Sequence, residues 1–589
     1  MQHDRPVRPT RRDARKERRV SSKKVTSTVE VGEPETAQID APDEVQTSTP
    51  PRRISTRARS SLRASLAVVG GRTAGALSRR LHLGGGTSIA GVVAQRLYPD
   101  IIEHLSTQLQ QGSILVTGTN GKTTTSGFIA AILRDAGLRV WRNREGSNLL
   151  RGIAGALVIR TQPNGRLRRA GQAISIFEVD EAVMPQAVRV IPARVVVFTN
   201  LFRDQLDRYG EVDSVLERWQ QAIAALAPET TLVLNADDPT IANLGRGFAG
   251  RVIYFGIEDS TQGVERQGGA NDRHQVMDTR VCPNCGHEYS YTLRLYSHIG
   301  HYRCPNCGEG RPRVDVAGGD IEAIAFDRLR IQVELPDRRG EIIVPLPGLY
   351  NVYNALAAVA TAQALEIAWE PTASGIEQFK PAFGRGERVQ TEGRTIRMLL
   401  AKNPTGFNEV LRTLFTDGSK RHMLFVLNDN IADGRDISWI WDVDFEQALP
   451  GFASLTIAGT RARDLALRLK YAGLNAREMT VAPSMPLRAE RQEMHAVSGQ
   501  RRARQANRQR AARGATIAAE DAPLRTQEIA QGSTAEKVYG IARALDKAIS
   551  QTPEGETLFV VPTYTGLLEV HHELERRGLT PHYWEETGP

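Results

Sequence analysis

One stretch, residues 111–140, constrains the fold of this chain more than any other, and it reads QGSILVTGTNGKTTTSGFIAAILRDAGLRV. The apolar run Ile114–Val116 predicts a short strand, glycine and threonine fill 118–125, and apolar residues recur at helical spacing from Phe128 to Leu133. A strand, a glycine-rich loop and a helix in this order make a phosphate site, because the N–H groups and positive dipole end of the helix point at the anion. The stretch therefore predicts an α/β domain that binds a nucleotide.

The side chains of this loop suit ATP bound together with Mg²⁺. Lys122 is expected to reach the β- and γ-phosphates, and the hydroxyl of Thr123 is expected to bind Mg²⁺. The rest of the predicted nucleotide loop consists of Gly118, Thr119, Asn120, Gly121 and Thr124. The strict phosphate-loop pattern has glycine at the position of Val116, so the match is incomplete. An ordinary turn into a helix, however, does not explain a lysine followed by three threonines.

A second pattern contains every cysteine of the chain. Two C-P-N-C pairs, eighteen residues apart, are formed by Cys282, Cys285, Cys304 and Cys307. This spacing predicts a four-cysteine zinc ribbon. Four thiolates complete a tetrahedron and leave no open position for water, so the Zn²⁺ is expected to be structural. Since no cysteine is left for a disulfide framework, a reducing cytoplasm is the expected compartment.

The basic balance of the chain, +9 with a pI near 9.4, raises nucleic acid as a partner. Most of this charge lies in an N-terminal tail, residues 1–60, and in an arginine-rich insertion at about 486–530, which have too few large apolar residues to form a core. Both segments are predicted to be disordered and either simply solvated or attracted to anionic lipid or RNA. A nucleic-acid-binding zinc protein is a remote alternative, because four tyrosines lie in the ribbon. Tyrosines also cover the small core of a ribbon, so no nucleic-acid partner is expected.

Further short motifs follow the loop T-G-T-N-G-K-T-T-T along the chain. They are NREGSN (143–148), FEVDE (177–181), TNLFRDQLDRYG (199–210), LNADDP (234–239), LPGLYNVYNALAA (346–358) and FGRGER (383–388). Each motif is short, but together and in this order they resemble the central domain of the Mur ligases. These are ATP-dependent enzymes that join amino acids to peptidoglycan precursors.

The resemblance implies roles for three residues outside the loop. Glu178 follows an apolar strand, and the glutamate at its position in the family coordinates Mg²⁺. Asn354 matches an asparagine that helps to hold adenine, and Arg385 matches an arginine near the nucleotide phosphates. Plainer interpretations stay open: Glu178 as a solvated strand-end residue, and Arg385 as a surface arginine in a glycine-rich turn.

The chain departs from the amino-acid-adding Mur ligases at several positions. Where these enzymes commonly carry histidine, it has Gln205 and Tyr350, and no lysine is assigned to their carbamylated position. The C-terminal stretches LAKNPTGFNEVL (400–411) and FVLNDNIADGRDISWIWDVDFE (425–446) replace the usual glycine-rich amino-acid-binding domain. Together with the ribbon, they resemble the MurT family of ligase subunits.

The resemblance to this family implies ATP-dependent amidation of the α-carboxylate of D-glutamate in the lipid II stem peptide. The product is D-isoglutamine, the intermediate is an acyl phosphate, and the lipid substrate places the reaction at the inner face of the cell membrane. Neutral ammonia is scarce at pH 7, and the ribbon uses all four cysteines, so a separate GatD-like glutaminase subunit is expected to supply the ammonia in a heterodimer. An amino-acid-adding Mur ligase or a folylpolyglutamate-type ligase is the alternative, weakened by the changed C-terminal region.

In this family an acidic residue is thought to complete the catalytic triad of the glutaminase across the subunit interface. Asp436, in D-G-R-D, is the best match, and Asp429, Asp433 and Asp442 are the other acids that could take the role. Asp436 could instead cap the following I-S-W-I-W-D segment. The neighbouring Trp439 and Trp441 could anchor an interface, although a place in the core is the simpler expectation.

The expected fold is a Mur-ligase-like α/β central domain over residues 61–390, with the zinc ribbon inserted at about 275–315. A second α/β domain is expected over 391–589, with strands at RHMLFVLN, FASLTIAG and TLFVVPTY. ATP is expected between the two domains, whose closure would exclude water from the acyl phosphate. No apolar run reaches the roughly 18–20 residues of a membrane span.

Overall fold

The computed structural model describes residues 56–81, 87–143, 147–204, 212–265, 277–381, 384–484 and 540–580. Helix α1 begins at Thr56, within the predicted N-terminal tail, and the rest of that tail lies outside the described residues. The predicted arginine-rich insertion and Gln205 also lie outside them.

The helices lie before, between and after the strands, as expected for an α/β chain. Their bounds are α1 Thr56–Arg80, α2 Thr87–Leu97, α3 Ile101–Ser106, α4 Lys122–Asp135, α5 Leu150–Ile159, α6 Met184–Val190, α7 Val212–Ala224, α8 Pro239–Asn243, α9 Leu349–Ala364, α10 Trp369–Glu377, α11 Pro404–Phe415, α12 Phe445–Ala448, α13 Ala462–Tyr471, α14 Ile541–Gln551 and α15 Tyr564–Arg576.

The strands form three sheets within the described residues. Their bounds are β1 Ser113–Thr117, β2 Arg139–Arg142, β3 Ala173–Glu178, β4 Ala193–Phe198, β5 Thr231–Asn235, β6 Val252–Ile257, β7 Val264–Glu265, β8 Ser290–Tyr296, β9 Ile299–Arg303, β10 Val316–Ala325, β11 Arg328–Leu335, β12 Arg338–Val344, β13 Arg385–Thr391, β14 Arg394–Leu399, β15 Arg421–Val426, β16 Phe452–Gly459, β17 Met479–Pro483 and β18 Thr557–Pro562.

The largest sheet has the order β12-β11-β10-β6-β5-β4-β1-β3-β2. Strands β1 to β6 pair in parallel, β10 continues the sheet in parallel, and β11 and β12 extend that edge antiparallel. Because β1 pairs with β3 on one side and β4 on the other, its carboxyl end lies where the winding of the chain reverses. Doubly wound sheets bind ligands at this point.

Both faces of this sheet are covered. Along β1, Ile114 and Val116 pack into one apolar core with α4 and α9, whereas Leu115 packs into a second core with α5 and α7. Successive strand residues point to opposite faces, so a continuous apolar strand needs cover on both sides. The short run Ile114–Val116 therefore already required helices above and below it.

The second large sheet has the order β13-β14-β18-β15-β16-β17 and is parallel except for the hairpin β13–β14. Met423 and Phe425 of β15 face one core, and Leu424 and Val426 face the other. The three strands predicted in this region are all present, as β15, β16 and β18.

The third sheet, β7-β8-β9, is antiparallel and carries the cysteine pairs at the ends of its long hairpin. It is inserted in the chain between β6 and β10, which are neighbours in the largest sheet. Among the helices that the structure describes, none is long and apolar enough to cross a bilayer.

Candidate active site

A cleft of about 590 Å³ opens at the carboxyl end of β1. One wall contains the phosphate loop Thr119–Thr124, and the opposite wall contains Lys402, Thr405 and Gly406 from the second large sheet and its helix α11. The ribbon contributes Tyr296. The position predicted for ATP, between the two α/β regions, is therefore a cleft with the phosphate loop in its wall.

The loop is held in one shape by its neighbours. Gly121 has φ +86°, and a Cβ placed there would lie 2.1 Å from Oδ1 of Asn354, so no larger residue fits. The backbone N–H of Thr119 donates to the carbonyl of Asn200 at 3.0 Å, and that of Asn120 donates to the Asn200 side chain at 2.8 Å. Asn200 lies two residues after the end of β4, the neighbour of β1, so the segment that follows β4 holds the loop in place.

Lys122 is engaged in an ion pair at the first turn of α4. Its Nζ lies 2.7 Å from Oε1 of Glu181 and also donates to the carbonyl of Gly118. Burial raises the pKa of Glu181, and the positive charges of Lys122 and Lys402 oppose that rise. The motif F-E-V-D-E contains three acids. The sequence did not show that Glu181, the last of them, would pair with Lys122.

Glu178 ends β3 and faces the first turn of α4. Its two carboxylate oxygens accept hydrogen bonds from the hydroxyls of Thr123 at 2.7 Å and Ser126 at 2.8 Å. Arg142 of β2 forms an ion pair with the same carboxylate at 3.2 Å. Glu178 is 5% exposed, so the interpretation of a solvated strand-end residue is wrong.

The pair Thr123 and Glu178 fits the donor set of a hard cation. Mg²⁺ takes oxygen ligands at about 2.0–2.1 Å in an octahedron, which places adjacent ligands about 2.9 Å apart. The distance between Thr123 Oγ1 and Glu178 Oε2, 2.7 Å, is close to that separation. Both atoms also line the cleft beside the phosphate loop.

The start of α9 lines the cleft beside the phosphate loop. Asn354 is buried, accepts a hydrogen bond from Thr125 at 3.2 Å and donates to Asn351 at 3.0 Å. Tyr350 lies in the same wall. Arg385 is the first residue of β13; its side chain is outside the described part, although the adjacent Gly386 lines the cleft.

The C-terminal wall contacts the phosphate loop directly. The side-chain amide of Asn403 donates to Oδ1 of Asn120 at 3.0 Å and also caps α11 through Gly406. Lys402 forms an ion pair with Asp204 across the cleft. Lys402 and Asn403 belong to the motif L-A-K-N-P-T-G, which indicated a family but did not predict these contacts.

A buried carboxylic acid, Glu409, also faces the cleft from α11. Its side chain is 8% exposed and lies 3.9 Å from Arg412, and burial raises its pKa to about 7. Arg412 itself donates to the ribbon carbonyl of Leu295 at 2.5 Å. Sequence reasoning missed Glu409, because one acid on an amphipathic helix carries no sign of burial.

Asp436 lies apart from the cleft, on the surface of the second α/β region. It is exposed, and its Oδ1 accepts a hydrogen bond from the N–H of Ser438 at 2.8 Å, which closes a turn at the start of the I-S-W-I-W-D segment. Asp433 is buried and bound to Thr565, and Asp429 pairs with Arg461 at 2.7 Å.

Asp442 and the two tryptophans complete this region. Asp442 pairs with Arg203 at 3.4 Å. Trp439 packs partly buried against the core, whereas Trp441 is 51% exposed and contacts Tyr471. Asp436 and Trp441 are therefore both accessible to another protein.

The four cysteines form one cluster. Their sulfur atoms all lie within 4.8 Å of one another, with Cys282–Cys307 at 3.6 Å and Cys285–Cys304 at 3.4 Å. Zn–S bonds of about 2.3 Å in a tetrahedron place sulfur atoms about 3.8 Å apart. The cluster therefore has the dimensions of a site that could bind a metal ion.

The ribbon is tied to the largest sheet through a buried network around Asp237. Its carboxylate accepts from Arg311, just after the second cysteine pair, at 2.5 Å and from the hydroxyl of Tyr353 at 2.6 Å. The backbone N–H of Gly300 in the ribbon donates to its carbonyl at 2.9 Å. Asp237 belongs to L-N-A-D-D-P, so this motif joins the ribbon to the sheet.

Comparison with known proteins gives two family matches within the chain. The Mur ligase middle domain matches residues 116–306, and the MurT ligase C-terminal family matches residues 400–498. The subunit MurT of lipid II isoglutaminyl synthase (glutamine-hydrolyzing) from Staphylococcus aureus is 32% identical over 388 residues, which is 66% of this chain and 83% of the relative. The Streptococcus pneumoniae subunit of the same name is 31% identical over 425 residues, 71% of this chain and 89% of the relative.

Solved structures share the fold at lower identity. A pseudomurein peptide ligase type C from Methanothermus fervidus has a TM-score of 0.54 at 21% identity, covering 80% of this chain and 79% of that one. MurF from Acinetobacter baumannii has a TM-score of 0.51 at 17% identity, covering 84% and 80%. The two large sheets and the cleft between them thus belong to a Mur-ligase-like α/β fold.

Proposed function

The chain belongs to the MurT family, and from this membership we propose that it is the ligase subunit of a lipid II isoglutaminyl synthase. The proposed reaction uses ATP and ammonia to convert the α-carboxylate of D-glutamate in the lipid II stem peptide into the amide of D-isoglutamine. It would take place at the cytoplasmic face of the membrane, where the lipid carries its peptide.

The observation that carries the proposal is one cleft in which Lys122, Thr123 and Glu178 lie together between the two large sheets. A carboxylate does not react with ammonia, because hydroxide and oxide are very poor leaving groups. Transfer of the γ-phosphoryl group of ATP gives an acyl phosphate, and phosphate then leaves when ammonia attacks. Such a transfer needs positioned positive charge more than covalent help from the protein.

Different residues of the cleft are proposed to bind the adenine, the phosphates and Mg²⁺. Asn354 and its partner Asn351 would hold the adenine, and the loop N–H groups would bind the phosphates. Thr123 and Glu178 would hold Mg²⁺, which when bound offsets the charge of the β- and γ-phosphates. Arg385, beside Gly386 of the cleft wall, is proposed to approach the same phosphates.

Lys122 would change partners when ATP arrives. Its 2.7 Å ion pair with Glu181 holds the ammonium group beside the loop, where Glu181 occupies the position of an anion. Burial raises the pKa of Glu181, and departure of the lysine would leave this buried carboxylate without its cation. The phosphates of ATP would therefore have to attract Lys122 more strongly than Glu181 does.

Closure of the cleft would protect the acyl phosphate from water. The hydrogen bonds between Asn120 and Asn403 join the phosphate loop to the C-terminal wall, and the ion pair of Lys402 with Asp204 joins the same walls. An acyl phosphate hydrolyses readily, so a site that excludes water favours attack by ammonia.

The ammonia is proposed to come from a separate GatD-like glutaminase subunit. Glutamine hydrolysis of the usual kind needs a cysteine nucleophile, and all four cysteines of this chain lie in the ribbon cluster. Asp436 is proposed to complete the triad of that partner, since its carboxylate is exposed and keeps one oxygen beyond its bond to Ser438.

The cysteine cluster is proposed to bind structural Zn²⁺. Four sulfur ligands close the coordination shell, and the positive φ of Gly286 and of Gly308 forms the tight turn that each pair requires. We assign the ribbon, within 275–315, as an insertion in an ATP-binding domain over 61–390 that precedes the C-terminal domain, 391–589.

The test combines the purified chain with a GatD-like glutaminase, lipid II, ATP, Mg²⁺ and glutamine. Mass spectrometry should detect the small mass decrease that accompanies replacement of a carboxylate oxygen by an amide nitrogen. An unchanged lipid, with active glutaminase and intact substrate, would refute the proposal. A mass increase by an amino-acid residue would instead indicate an amino-acid-adding ligase.

Two variants separate the partial reactions. Lys122→Ala should abolish amidation with either glutamine or ammonium, because phosphoryl transfer is lost. Asp436→Asn should lose only the glutamine-dependent reaction, and ammonium should restore it. Loss with both nitrogen sources would place Asp436 in the ligase reaction or in folding.

A further inference from the structure

Helix α1 packs with its small residues inward and leaves its larger aliphatic residues in solvent. Ala67 and Val68 are fully buried, and a Cβ on Gly71 would lie 2.7 Å from the carbonyl of Ala90 in α2. The close approach of α1 to α2 thus depends on small side chains. With the small residues packed inward, the leucines of the helix face solvent.

The outward side of α1 carries an apolar stripe, which the exposed Thr73 interrupts. Leu62 is 70% exposed, Leu66 is 67% exposed and Leu77 is 58% exposed, and Val69 lies between them. These positions recur at helical spacing, so they share one face of about four turns. Leu97 of α2 extends the stripe, because it lies against Gly70 and is 52% exposed. Surface leucines scattered singly need no explanation, but a stripe does.

The surroundings of the stripe are mainly basic, although the exposed acids Asp100 and Glu103 lie near Tyr98 and Arg63. Residues 56–97 include seven arginines and residues 150–172 include five, and neither segment has an aspartate or glutamate. Arg63, Arg79 and Arg80 of α1 are exposed. None of the three pairs with a carboxylate within the described part of the chain.

The second basic segment is packed beside the first. Gly165, in the turn after α5, approaches α1, since a Cβ there would lie 3.2 Å from that of Ala64. Arg72 of α1 donates to the carbonyl of Thr161 at the start of the same turn at 3.0 Å. The turn continues into the exposed Arg166, so arginines of both segments occupy one region of the surface.

We infer that the α1 face, defined as Leu62, Leu66, Val69, Leu77 and the arginines beside them, docks on the surface of an anionic phospholipid bilayer. A protein surface that lies on an anionic bilayer combines exposed apolar side chains with cations beside them, and the α1 face has both. Each arginine near an anionic surface strengthens binding about fivefold, whereas a protein partner would need acids matched to these positions. The choice of a bilayer rests partly on the proposed function, because lipid II is a membrane substrate.

The test is co-sedimentation of the full chain with vesicles that contain no lipid II. Binding to equimolar phosphatidylglycerol and phosphatidylcholine is compared with binding to phosphatidylcholine alone. The variant Leu66→Gln/Leu77→Gln should bind the anionic vesicles at least about tenfold more weakly, because two apolar side chains no longer enter the bilayer. The matched variant Ile324→Gln/Leu467→Gln, at positions 38% and 48% exposed elsewhere on the surface, should bind as the wild type does.

Three results would overturn the inference. Undiminished binding of Leu66→Gln/Leu77→Gln would place any membrane contact outside α1. Equal binding of the wild type to both kinds of vesicle would exclude a role for the arginines. A dimer in sedimentation velocity that this variant converts to monomer would make the face an interface between copies. Amidation of lipid II in detergent should survive in the variant, so failure of the docking and failure of the proposed reaction give different results.

Discussion

The buried acid Glu409 gives a prediction whose sign and size follow from the structure. Burial in the cleft wall raises its pKa from the ordinary 4.5 to about 7, against the opposing charge of Arg412 at 3.9 Å. The folded protein therefore holds this proton more tightly than the unfolded chain does. The contribution of Glu409 to the free energy of unfolding is therefore most favourable below pH 4.5, where the folded and unfolded states are both protonated.

As the pH rises from 4.5 to 7, the unfolded chain loses the proton while the folded protein keeps it, so stability decreases. Above pH 7 both states are ionised and the cost is constant. A pKa that rises from 4.5 to about 7 corresponds to about 3 kcal/mol at pH 8. Glu409→Gln removes the titration, so its stability relative to wild type should increase by about 2–3 kcal/mol between pH 5 and pH 8.

The assay is thermal unfolding of both proteins at a series of pH values. For domains of this size, about 3 kcal/mol moves the midpoint by several degrees. The reference is the difference in unfolding midpoint between Glu409→Gln and wild type at pH 5, because this difference includes the cost of burying an amide. Glu554→Gln, at an exposed position of the same region, is the matched control for the loss of a carboxylate. A midpoint difference between Glu409→Gln and wild type that stays constant with pH would refute the argument from burial.

Three further predictions concern the loop and the ribbon. Gly121→Ala should weaken ATP binding at least about tenfold by calorimetry, because its Cβ would strike an amide oxygen of α9; Gly137→Ala, with a similar φ of +81° and open space around it, bears only the backbone strain and should bind normally. Arg311→Met should lower the free energy of unfolding by about 3–5 kcal/mol in denaturant titration, since it leaves the carboxylate of Asp237 buried without its cation, and an effect below about 1 kcal/mol would contradict this. Cys304→Ser should reduce the Zn²⁺ content measured by elemental analysis, and full retention would argue against a four-sulfur site.

Much of the fold was predictable because its signals are local. The apolar run Ile114–Val116 and the helical spacing after the loop predicted a strand and a helix, and β1 and α4 confirm both. The resemblance to the Mur ligases and to the MurT family was also predicted correctly. The roles of the individual site residues stay predictions, although the structure places Lys122, Thr123 and Glu178 in one cleft.

Other residues of the cleft could not be predicted. Glu181, Asn403 and Glu409 become parts of the site only when chain segments far apart in sequence meet, and no spacing rule reports burial or ion-pair partners. The same holds for the α1 face. Its leucines, alanines and arginines are visible in the sequence, but the side of the helix that is buried is not.

The sequence by itself determined the chemistry that is available: a phosphate loop, four thiolates at ribbon spacing and a carboxylate at a strand end, because these depend on residue type and short separation. Only the tertiary structure decided how that chemistry is arranged. It joined Asn120 to Asn403 across the cleft, attached the ribbon through Arg311 and Asp237, and turned the leucines of α1 outward. The physical reason is that charge pairing and burial are set by packing between distant segments, which local sequence does not encode.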